Sequence, residues 1–355
     1  MELAEHNIES RPTPSRLARW IDPRPSGIYL PHADLWIDPN HAVPRALITH
    51  GHADHARAGH GQVWATPETL AIMAVRYGIG SADAPTVHTP MPYGHSIDIA
   101  GINVSFHPAG HVLGSAQIRL EYVGESGREV VVVSGDYKRR ADPSCVRFEP
   151  VPCDVFITEA TFALPVFRHP DTPAEVAKIL AAQAANPDRC VLVGAYALGK
   201  AQRVILELRD LGYAGPIYIH GALEKLCALY GEFGAKLGDI RTVAGTDKAT
   251  LAGTIILAPP SALADRWSRR LPDPITAMAS GWMRVRGRAR QRGVELPIIL
   301  SDHADWDELT QTITELRPRE VWITHGRDDA LIHWCELHQI KARALALVGR
   351  EDEDD

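Results

Sequence analysis

The stretch that decides the fold and the chemistry of this chain lies at residues 49–56 and reads Thr49-His50-Gly51-His52-Ala53-Asp54-His55-Ala56. Three histidines and a carboxylate fall within six residues, directly after a short apolar strand predicted over residues 46–49. A tight turn after a strand lets the first two histidines point one way, and the aspartate and the third histidine another. The stretch therefore predicts one loop that serves two adjacent metal ions with imidazole and carboxylate ligands.

Matching groups follow other predicted strands, as Pro108-Ala109-Gly110-His111, Ser134-Gly135-Asp136-Tyr137 and Thr324-His325-Gly326. Taken in this order, the motifs resemble those of the metallo-β-lactamase superfamily. The resemblance implies that one metal ion is held by His50, His52 and His111. It implies that the other is held by Asp54, His55 and His325, and that Asp136 bridges the two.

The ligand types favour a pair of Zn²⁺ ions, although Mn²⁺ also accepts mixed imidazole and carboxylate sites. The five cysteines are widely spaced and form no CxxC pair, which predicts reduced thiols and a metal site without thiolates. Asp38 matches the first acidic motif of the superfamily, and we expect it to orient the metal loop as part of the catalytic set. Asp34 is a weaker candidate for that role.

The residues between Asp136 and His325 indicate which branch of the superfamily the chain resembles. An insertion of α/β character fits the nucleic-acid-cleaving β-CASP branch, and Glu159, His303 and His325 resemble its motifs A, B and C. The implied fold class is α/β, a metallo-β-lactamase αββα sandwich with an inserted β-CASP α/β domain. The expected domains are residues 1–167 and 294–350 for the sandwich, 168–293 for the insertion and 351–355 for an acidic tail.

A more specific resemblance is carried by HPAGHVLGSAQ, VVSGDYKRR, TEATF, SGWMRVRGRARQRG, LSDHADW and WITHGR, which together look like bacterial ligase-associated DNA exonucleases. This family implies a metal-dependent hydrolase that trims DNA ends in DNA repair, single-stranded and from 5′ to 3′, beside a DNA ligase and a helicase. It implies that Asp54, Asp38, Glu159 and His303 form the catalytic set, with His303 as a general acid or phosphate contact.

Two stretches are candidates for substrate binding. Residues 194–201 nearly spell a P-loop, but Ala201 replaces the Ser or Thr that would bind Mg²⁺, so we expect no nucleotide cofactor. Lys200 and Arg203 could instead contact a backbone phosphate. The second stretch offers Ser280 and Gly281 to a phosphate. It also offers Arg284 and Arg286 to a strand, on one face if the segment is extended and spread around if it is helical.

Composition bounds the remaining possibilities. The chain has 355 residues with 45% hydrophobic and 23% charged residues, and it has no long apolar run, so we expect a globular cytoplasmic protein without a membrane partner. The formal net charge is −7, yet five acids stand in the final EDEDD, while eight arginines fall between residues 266 and 292. This local basic patch is compatible with a polyanionic partner, or is only a solvated face.

Other functions stay open on the sequence alone. The same two-metal chemistry would suit a β-CASP RNA-processing nuclease of the RNase J or mRNA 3′-end-processing type. A catalytically silent nucleic-acid-binding scaffold is disfavoured by the complete set of ligands. A small-molecule thioester or lactam hydrolase is disfavoured by the insertion and the basic patch.

Overall fold

The computed structural model describes residues 17–78, 87–124 and 127–347, except for the side chain of His325. The first part of the chain forms a sheet whose strands lie side by side in chain order. Its first two strand pairings are antiparallel and the other three are parallel. Its elements are β1 (Asp22–Arg24), β2 (Gly27–Leu30), β3 (Leu35–Ile37), β4 (Arg45–Leu47), β5 (Gln62–Ala65), α1 (Pro67–Tyr77) and β6 (Val87–Pro90).

A second sheet begins with an antiparallel meander of four strands, after which a fifth strand pairs in parallel with the fourth. The change to parallel pairing matters because the carboxyl ends of parallel strands meet at one edge of a sheet. Its first five strands are β7 (Ser96–Ile99), β8 (Ile102–Pro108), β9 (Ala116–Gly124), β10 (Gly127–Val133) and β11 (Val155–Ala160).

An inserted α/β domain follows, with a six-stranded sheet in the described residues in which every pairing is parallel. The strand order is β14-β13-β15-β12-β16-β17. The elements are α2 (Thr172–Ala185), β12 (Val191–Gly194), α3 (Lys200–Asp210), β13 (Ile217–Ile219), α4 (Glu224–Glu232), β14 (Ile240–Thr242), β15 (Ile255–Ala258), β16 (Ile275–Ala279), α5 (Arg286–Gln291) and β17 (Leu296–Ile298).

The last described segment returns to the second sheet and extends it beyond β11, in the order β19-β18-β11-β10-β9-β8-β7. Its helix α6 starts at a capping box, in which the Asp305 carboxylate accepts from the Glu308 backbone N–H and the Glu308 side chain accepts from that of Asp305. The elements are α6 (Trp306–Leu316), β18 (Glu320–Gly326), α7 (Asp328–Leu337) and β19 (Lys341–Ala344).

The alternation of side chains across each sheet explains how the layers pack. Val131 and Val133 point into a core shared with the first sheet, where they join Ile28 and Leu47, whereas Val132 points into the core beneath α6 and α7. On the outer side of the first sheet a further core lies beneath α1. Helix, sheet, sheet and helix therefore form four layers, which are called the sandwich below.

The strand predicted over residues 46–49 is β4, which ends two residues earlier than expected, and the predicted α/β class is confirmed. One expected domain boundary differs: residues 296–298 fall in the range 294–350 assigned to the sandwich, but they form β17, which pairs with β16 in the inserted sheet. The five cysteines are free thiols, as expected. Among the described residues, no helix combines the length and apolar character that a membrane span requires.

Candidate metal centre

The candidate site lies where loops leave the ends of several strands of the sandwich. The loop after β4 carries His50, His52, Asp54 and His55, the β8–β9 turn carries His111, and the loop after β10 carries Asp136. The end of β11 adds Glu159, and the connection from the inserted domain back to α6 adds His303. Residues that are far apart in the sequence therefore meet at one edge of the fold.

Three histidines and one aspartate form the first group of side chains. The Nδ1 atom of His52 lies 3.1 Å from Nε2 of His50 and 3.0 Å from Nε2 of His111. Oδ2 of Asp136 lies 3.4 Å from Nε2 of His50 and 3.8 Å from Nε2 of His111. One potential ligand atom from each of the four residues falls within 4.8 Å of the others, and all but His52 are buried.

Hydrogen bonds on the far sides of the three rings decide which nitrogens carry protons. Nδ1 of His111 lies 2.8 Å from the carbonyl oxygen of Asp302, and Nε2 of His52 lies 3.3 Å from that of Leu198. Because carbonyl oxygens only accept, both nitrogens must donate.

The same reasoning applies to His50. The Thr49 hydroxyl donates its proton to Asp38 at 2.6 Å, so its oxygen accepts from Nδ1 of His50 at 3.1 Å. In all three rings the nitrogen that faces the cluster therefore presents a lone pair, and these lone pairs converge beside a carboxylate. This donor set fits a divalent cation such as Zn²⁺.

The second group is built around His55. Its Nδ1 lies 2.8 Å from Oδ2 of Asp38, and its Nε2 lies 3.3 Å from Oδ2 of Asp54 and 3.5 Å from Oδ2 of Asp136. The same Asp136 oxygen thus lies near imidazole nitrogens of both groups, and its role as a bridging ligand, which the family resemblance implies, stays a prediction. The side chain of His325 lies outside the described part of the structure, so its role as a ligand stays a prediction.

The electrostatics of the two groups differ. Burial lowers the pKa of His50 and of His111 well below the ordinary value, and it lowers that of His52 to about 4. These rings are therefore neutral at neutral pH, which is the form that coordinates a metal. Burial raises the pKa of Asp136 to about 7.

At His55, burial is outweighed by Asp136, Asp54 and Asp38, which raise the pKa of the imidazole well above its ordinary value. Burial acts to raise the Asp54 pKa, but His55 holds it well below the usual range. Without a metal, the second group therefore balances its carboxylates with a proton on His55.

Asp38 acts through its neighbours rather than within the cluster. Its carboxylate accepts from the Thr49 backbone N–H at 2.8 Å, from the Thr49 hydroxyl and from Nδ1 of His55. It is 1% exposed and adopts φ = 44°, a left-handed conformation that Asp and Asn tolerate better than most residues. Asp34, the weaker candidate, is exposed and accepts from the Tyr29 hydroxyl instead.

Glu159 and His303 form a pair beside the histidine cluster. Oε2 of Glu159 lies 3.0 Å from Nδ1 of His303, and its Oε1 accepts from the Tyr137 backbone N–H at 2.7 Å. The pairing of β11 with β18 shifts register between Thr158 and Ala160, so a local irregularity of the sheet falls at Glu159. The His303 ring centroid lies 4.7 Å from that of His111.

The structure places Lys200 and Arg203 in a buried ion-pair network rather than on an open surface. Lys200 is 3% exposed with Nζ 3.5 Å from Oδ2 of Asp302, and Arg203 is 1% exposed and contacts both Asp302 and Asp142. Their charges are compensated by carboxylates of the protein, which differs from the phosphate contact expected from the sequence.

The second predicted substrate stretch is also partly buried. The Ser280 hydroxyl accepts from the Trp282 backbone N–H and caps the short helical turn at residues 281–284. A Cβ on Gly281 would lie 2.5 Å from the Phe162 ring, so this glycine permits close packing. Neither residue is exposed, which differs from the expected phosphate contact.

The arginines of this stretch are presented differently. Arg284 and Arg286 are exposed, and residues 286–291 are helical, so the arginines spread around α5 instead of aligning on one face. The guanidinium of Arg288 lies 4.0 Å from the centroid of the Trp282 ring, and that ring packs on Phe162 at 4.8 Å. Phe162 in turn lies 6.2 Å from His303 between ring centroids, so the basic segment borders the candidate site.

The sequence of this chain is similar to parts of several known proteins. The chain is 31% identical over 304 residues to a "Probable DNA ligase" of Opitutus terrae, with 84% of this chain and 28% of that protein covered. It is 28% identical to "Transcription termination factor FttA" of Methanosarcina mazei, with 57% and 36% covered. It is 31% identical to "Endoribonuclease YSH1" of Gibberella zeae, with 52% and 26% covered. All three names refer to nucleic acids.

The chain thus spans only about a quarter to a third of the length of these relatives. No protein-family profile matches it. A solved structure of a protein of unknown function from Enterococcus faecalis matches 79% of this chain and 74% of its own length, with 12% sequence identity and a TM-score of 0.48.

Two contributors to the site have no marker in the sequence. Leu198 and Asp302 act through backbone carbonyl oxygens, which every residue type carries. The position of Thr49 in the sequence does indicate a role, because a hydroxyl next to a metal-binding histidine can relay a hydrogen bond. That it lies between Asp38 and His50 is visible only in the folded structure.

Proposed function

We propose that this chain is a metal-dependent nuclease of the β-CASP branch of the metallo-β-lactamase superfamily, and specifically a DNA exonuclease of the ligase-associated kind. The observation that carries the proposal is the convergence of three imidazole lone pairs on Asp136, beside the Glu159–His303 pair. Structural polar clusters satisfy their hydrogen bonds internally, whereas this one presents lone pairs to a common point.

The expected cofactor is a pair of divalent ions, with Zn²⁺ favoured over Mn²⁺. His50, His52, His111 and Asp136 would hold the first, and Asp54, His55, Asp136 and His325 the second. When bound, such ions supply Lewis-acid activation of water and charge neutralisation at a phosphodiester.

The protein's own residues have distinct tasks in this proposal. Asp38 holds His55 and, through Thr49, His50. Glu159 fixes Nδ1 of His303 as a donor, so Nε2 of that ring is the atom that exchanges a proton with the leaving oxygen of the substrate. The exposed Arg284 and Arg286 attract the phosphate backbone toward the site.

The relatives support a nucleic-acid substrate. One is named a DNA ligase, and the region similar to this chain is a minor part of that protein. This name supports action on DNA beside a ligase. The helicase partner, the single-stranded substrate and the 5′ to 3′ direction enter the proposal only through the resemblance of the sequence motifs to the ligase-associated exonucleases.

A second candidate is a β-CASP RNA-processing nuclease. The observation in its favour is that the name of a relative 31% identical to this chain is "Endoribonuclease YSH1". The described metal ligands suit either polymer, because the chemistry takes place at the phosphate.

The test compares matched single-stranded DNA and RNA, each labelled separately at the 5′ and 3′ ends, with metal-free protein resupplied with Zn²⁺ or Mn²⁺. The proposal expects mononucleotides to be released first from 5′-labelled DNA, with RNA spared. Internal cuts or preferential loss of RNA would transfer the protein to the second candidate. No cleavage by metal-loaded protein would contradict both.

A further inference from the structure

The inserted domain touches the sandwich next to a predicted metal ligand. Helix α3 begins after Gly199, whose φ is +89° and where a Cβ would lie 2.3 Å from Cγ1 of Val112. Val112 follows His111 directly in the sequence. The start of α3 is therefore pressed against the turn that carries this histidine.

Arg203, one turn into α3, binds the connection that returns from the inserted domain to the sandwich. Its Nη1 atom donates to the carbonyl oxygen of Ser301 at 2.6 Å and lies 3.1 Å from Oδ1 of Asp302. Its Nη2 atom donates to the Thr172 hydroxyl at 3.1 Å, and Nε lies 3.2 Å from Oδ2 of Asp142 in the sandwich. One guanidinium thus contacts both domains. It also contacts both segments in which the chain passes from one domain to the other, near Thr172 and at residues 301–302.

The segment that Arg203 holds is the one that orients His111. The backbone carbonyl of Asp302 accepts from Nδ1 of His111 at 2.8 Å, which leaves Nε2 of that ring to face His52 and Asp136. Such hydrogen bonds to the far nitrogen of a ligating imidazole set its tautomer and its orientation. A shift of the 301–302 backbone would therefore move the ring.

We propose that Arg203 is a positioning residue of the metal centre, which fixes the His111 ring through the Ser301–Asp302 backbone. The inference rests on the metal-binding part of the proposed function and does not depend on the substrate. It replaces the phosphate contact that the sequence suggested for Arg203, since the fork of its guanidinium is occupied by the protein's own acceptors.

A contribution from His52 agrees with this inference. Nε2 of His52 lies 3.3 Å from the carbonyl oxygen of Leu198, which belongs to the same loop that leads into α3. Two of the three clustered imidazoles therefore take their orienting acceptors from the inserted domain or from its return connection. The domain that resembles a substrate-binding insertion also completes the metal site.

The test measures the Zn²⁺ affinity of the metal-free full chain by competition with a chromophoric chelator, for wild type and Arg203→Lys. Lysine keeps the charge but lacks the fork, so a change in affinity cannot come from net charge. We expect binding about tenfold to a hundredfold weaker, and an altered visible spectrum of the Co²⁺-loaded protein.

The matched control is Arg209→Lys on the same helix. Arg209 donates to the carbonyl oxygens of Leu237, Tyr213, Gly215 and Asp239, all within the inserted domain. Its replacement should lower the melting temperature and leave the Zn²⁺ affinity within about twofold of wild type. Folding of each variant is checked by circular dichroism.

If Arg203→Lys does not fold, the same Zn²⁺ affinity is measured for Asp302→Asn. This variant keeps the backbone carbonyl that accepts from His111, but it weakens the ion pair between Arg203 and the 301–302 segment. Wild-type Zn²⁺ affinity in a folded Arg203→Lys protein, or in Asp302→Asn when that protein carries the test, would overturn the inference. Tight Zn²⁺ binding without nuclease activity in wild type would instead contradict the proposed function and leave this inference standing.

Discussion

Replacement of Asp38 by asparagine should weaken metal binding at the candidate centre with little disturbance of the backbone. The left-handed conformation at φ = 44° suits asparagine as well as aspartate, so no strain is introduced. The difference lies in the hydrogen bonds. The carboxylate accepts from three donors, the Thr49 N–H, the Thr49 hydroxyl and Nδ1 of His55, whereas an amide has one oxygen and an NH₂ group.

Either orientation of the new amide carries a cost. If its NH₂ group faces the Thr49 N–H, two donors oppose each other in a site that is 1% exposed, and an unsatisfied buried donor costs about 1–3 kcal/mol. If the NH₂ group faces Nδ1 of His55, that ring must carry its proton on Nε2, the atom that faces Asp54 and Asp136. In this tautomer Nε2 cannot coordinate a metal ion.

We therefore expect Asp38→Asn to weaken Zn²⁺ binding by about tenfold to a hundredfold, which corresponds to about 1.4–2.8 kcal/mol. The assay is chelator competition on the metal-free protein, together with thermal unfolding. Asp34→Asn is the control, because Asp34 has φ = 45° but is exposed, and the same exchange there should leave both quantities unchanged. An Asp38→Asn protein with wild-type Zn²⁺ affinity would refute the hydrogen-bond argument.

Three more outcomes follow from the site and its surroundings. Glu159→Gln should retain its metal but lose about 10²–10⁴ in kcat, because Nδ1 of His303 is no longer fixed as a donor; an unchanged kcat would remove the pair from the chemistry. The double variant Arg284→Gln/Arg286→Gln should reduce the slope of log binding constant against log salt concentration for single-stranded DNA by about 0.7 per lost contact. The control Arg241→Gln, on the edge strand β14 of the inserted sheet, should leave this slope unchanged. A wild-type slope in the double variant would show that Arg284 and Arg286 make no phosphate contacts. Burial lowers the pKa of His60 to about 4, below its unfolded value of about 6.5. The neutral ring therefore contributes about 3 kcal/mol of stability above pH 6.5, and this contribution is lost as the pH falls toward 4. In metal-free His60→Asn protein this part of the acid destabilisation, followed by denaturant titration, should be missing.

The sequence was most informative where chemistry and periodicity coincide. The histidines of residues 50–55 and the apolar strand before them predict a loop that carries several candidate ligands, and the structure forms this loop directly after β4. Strand ends were predictable because short β-branched runs stop at Gly, Pro or Asn.

What the sequence could not supply are contacts that depend on the tertiary structure. Lys200 and Arg203 follow a glycine turn after a strand, a pattern that favours a phosphate site, and only the folded chain shows that Asp302 and Asp142 already neutralise them. The arginines of residues 284–290 have the same spacing in a strand or a helix, so periodicity could not choose. The sequence alone places β17 in the sandwich, because the local sequence pattern does not show that β16 is the strand with which it pairs.

The most direct test of the central claim is the rate of single-strand DNA cleavage by chelator-treated protein as Zn²⁺ is returned, with bound metal measured by elemental analysis, for wild type and His111→Ala. The account predicts that metal-free wild type is inactive and regains cleavage as Zn²⁺ binds, while His111→Ala binds less metal and stays inactive. Full cleavage by the metal-free protein, or a wild-type rate in His111→Ala, would contradict it.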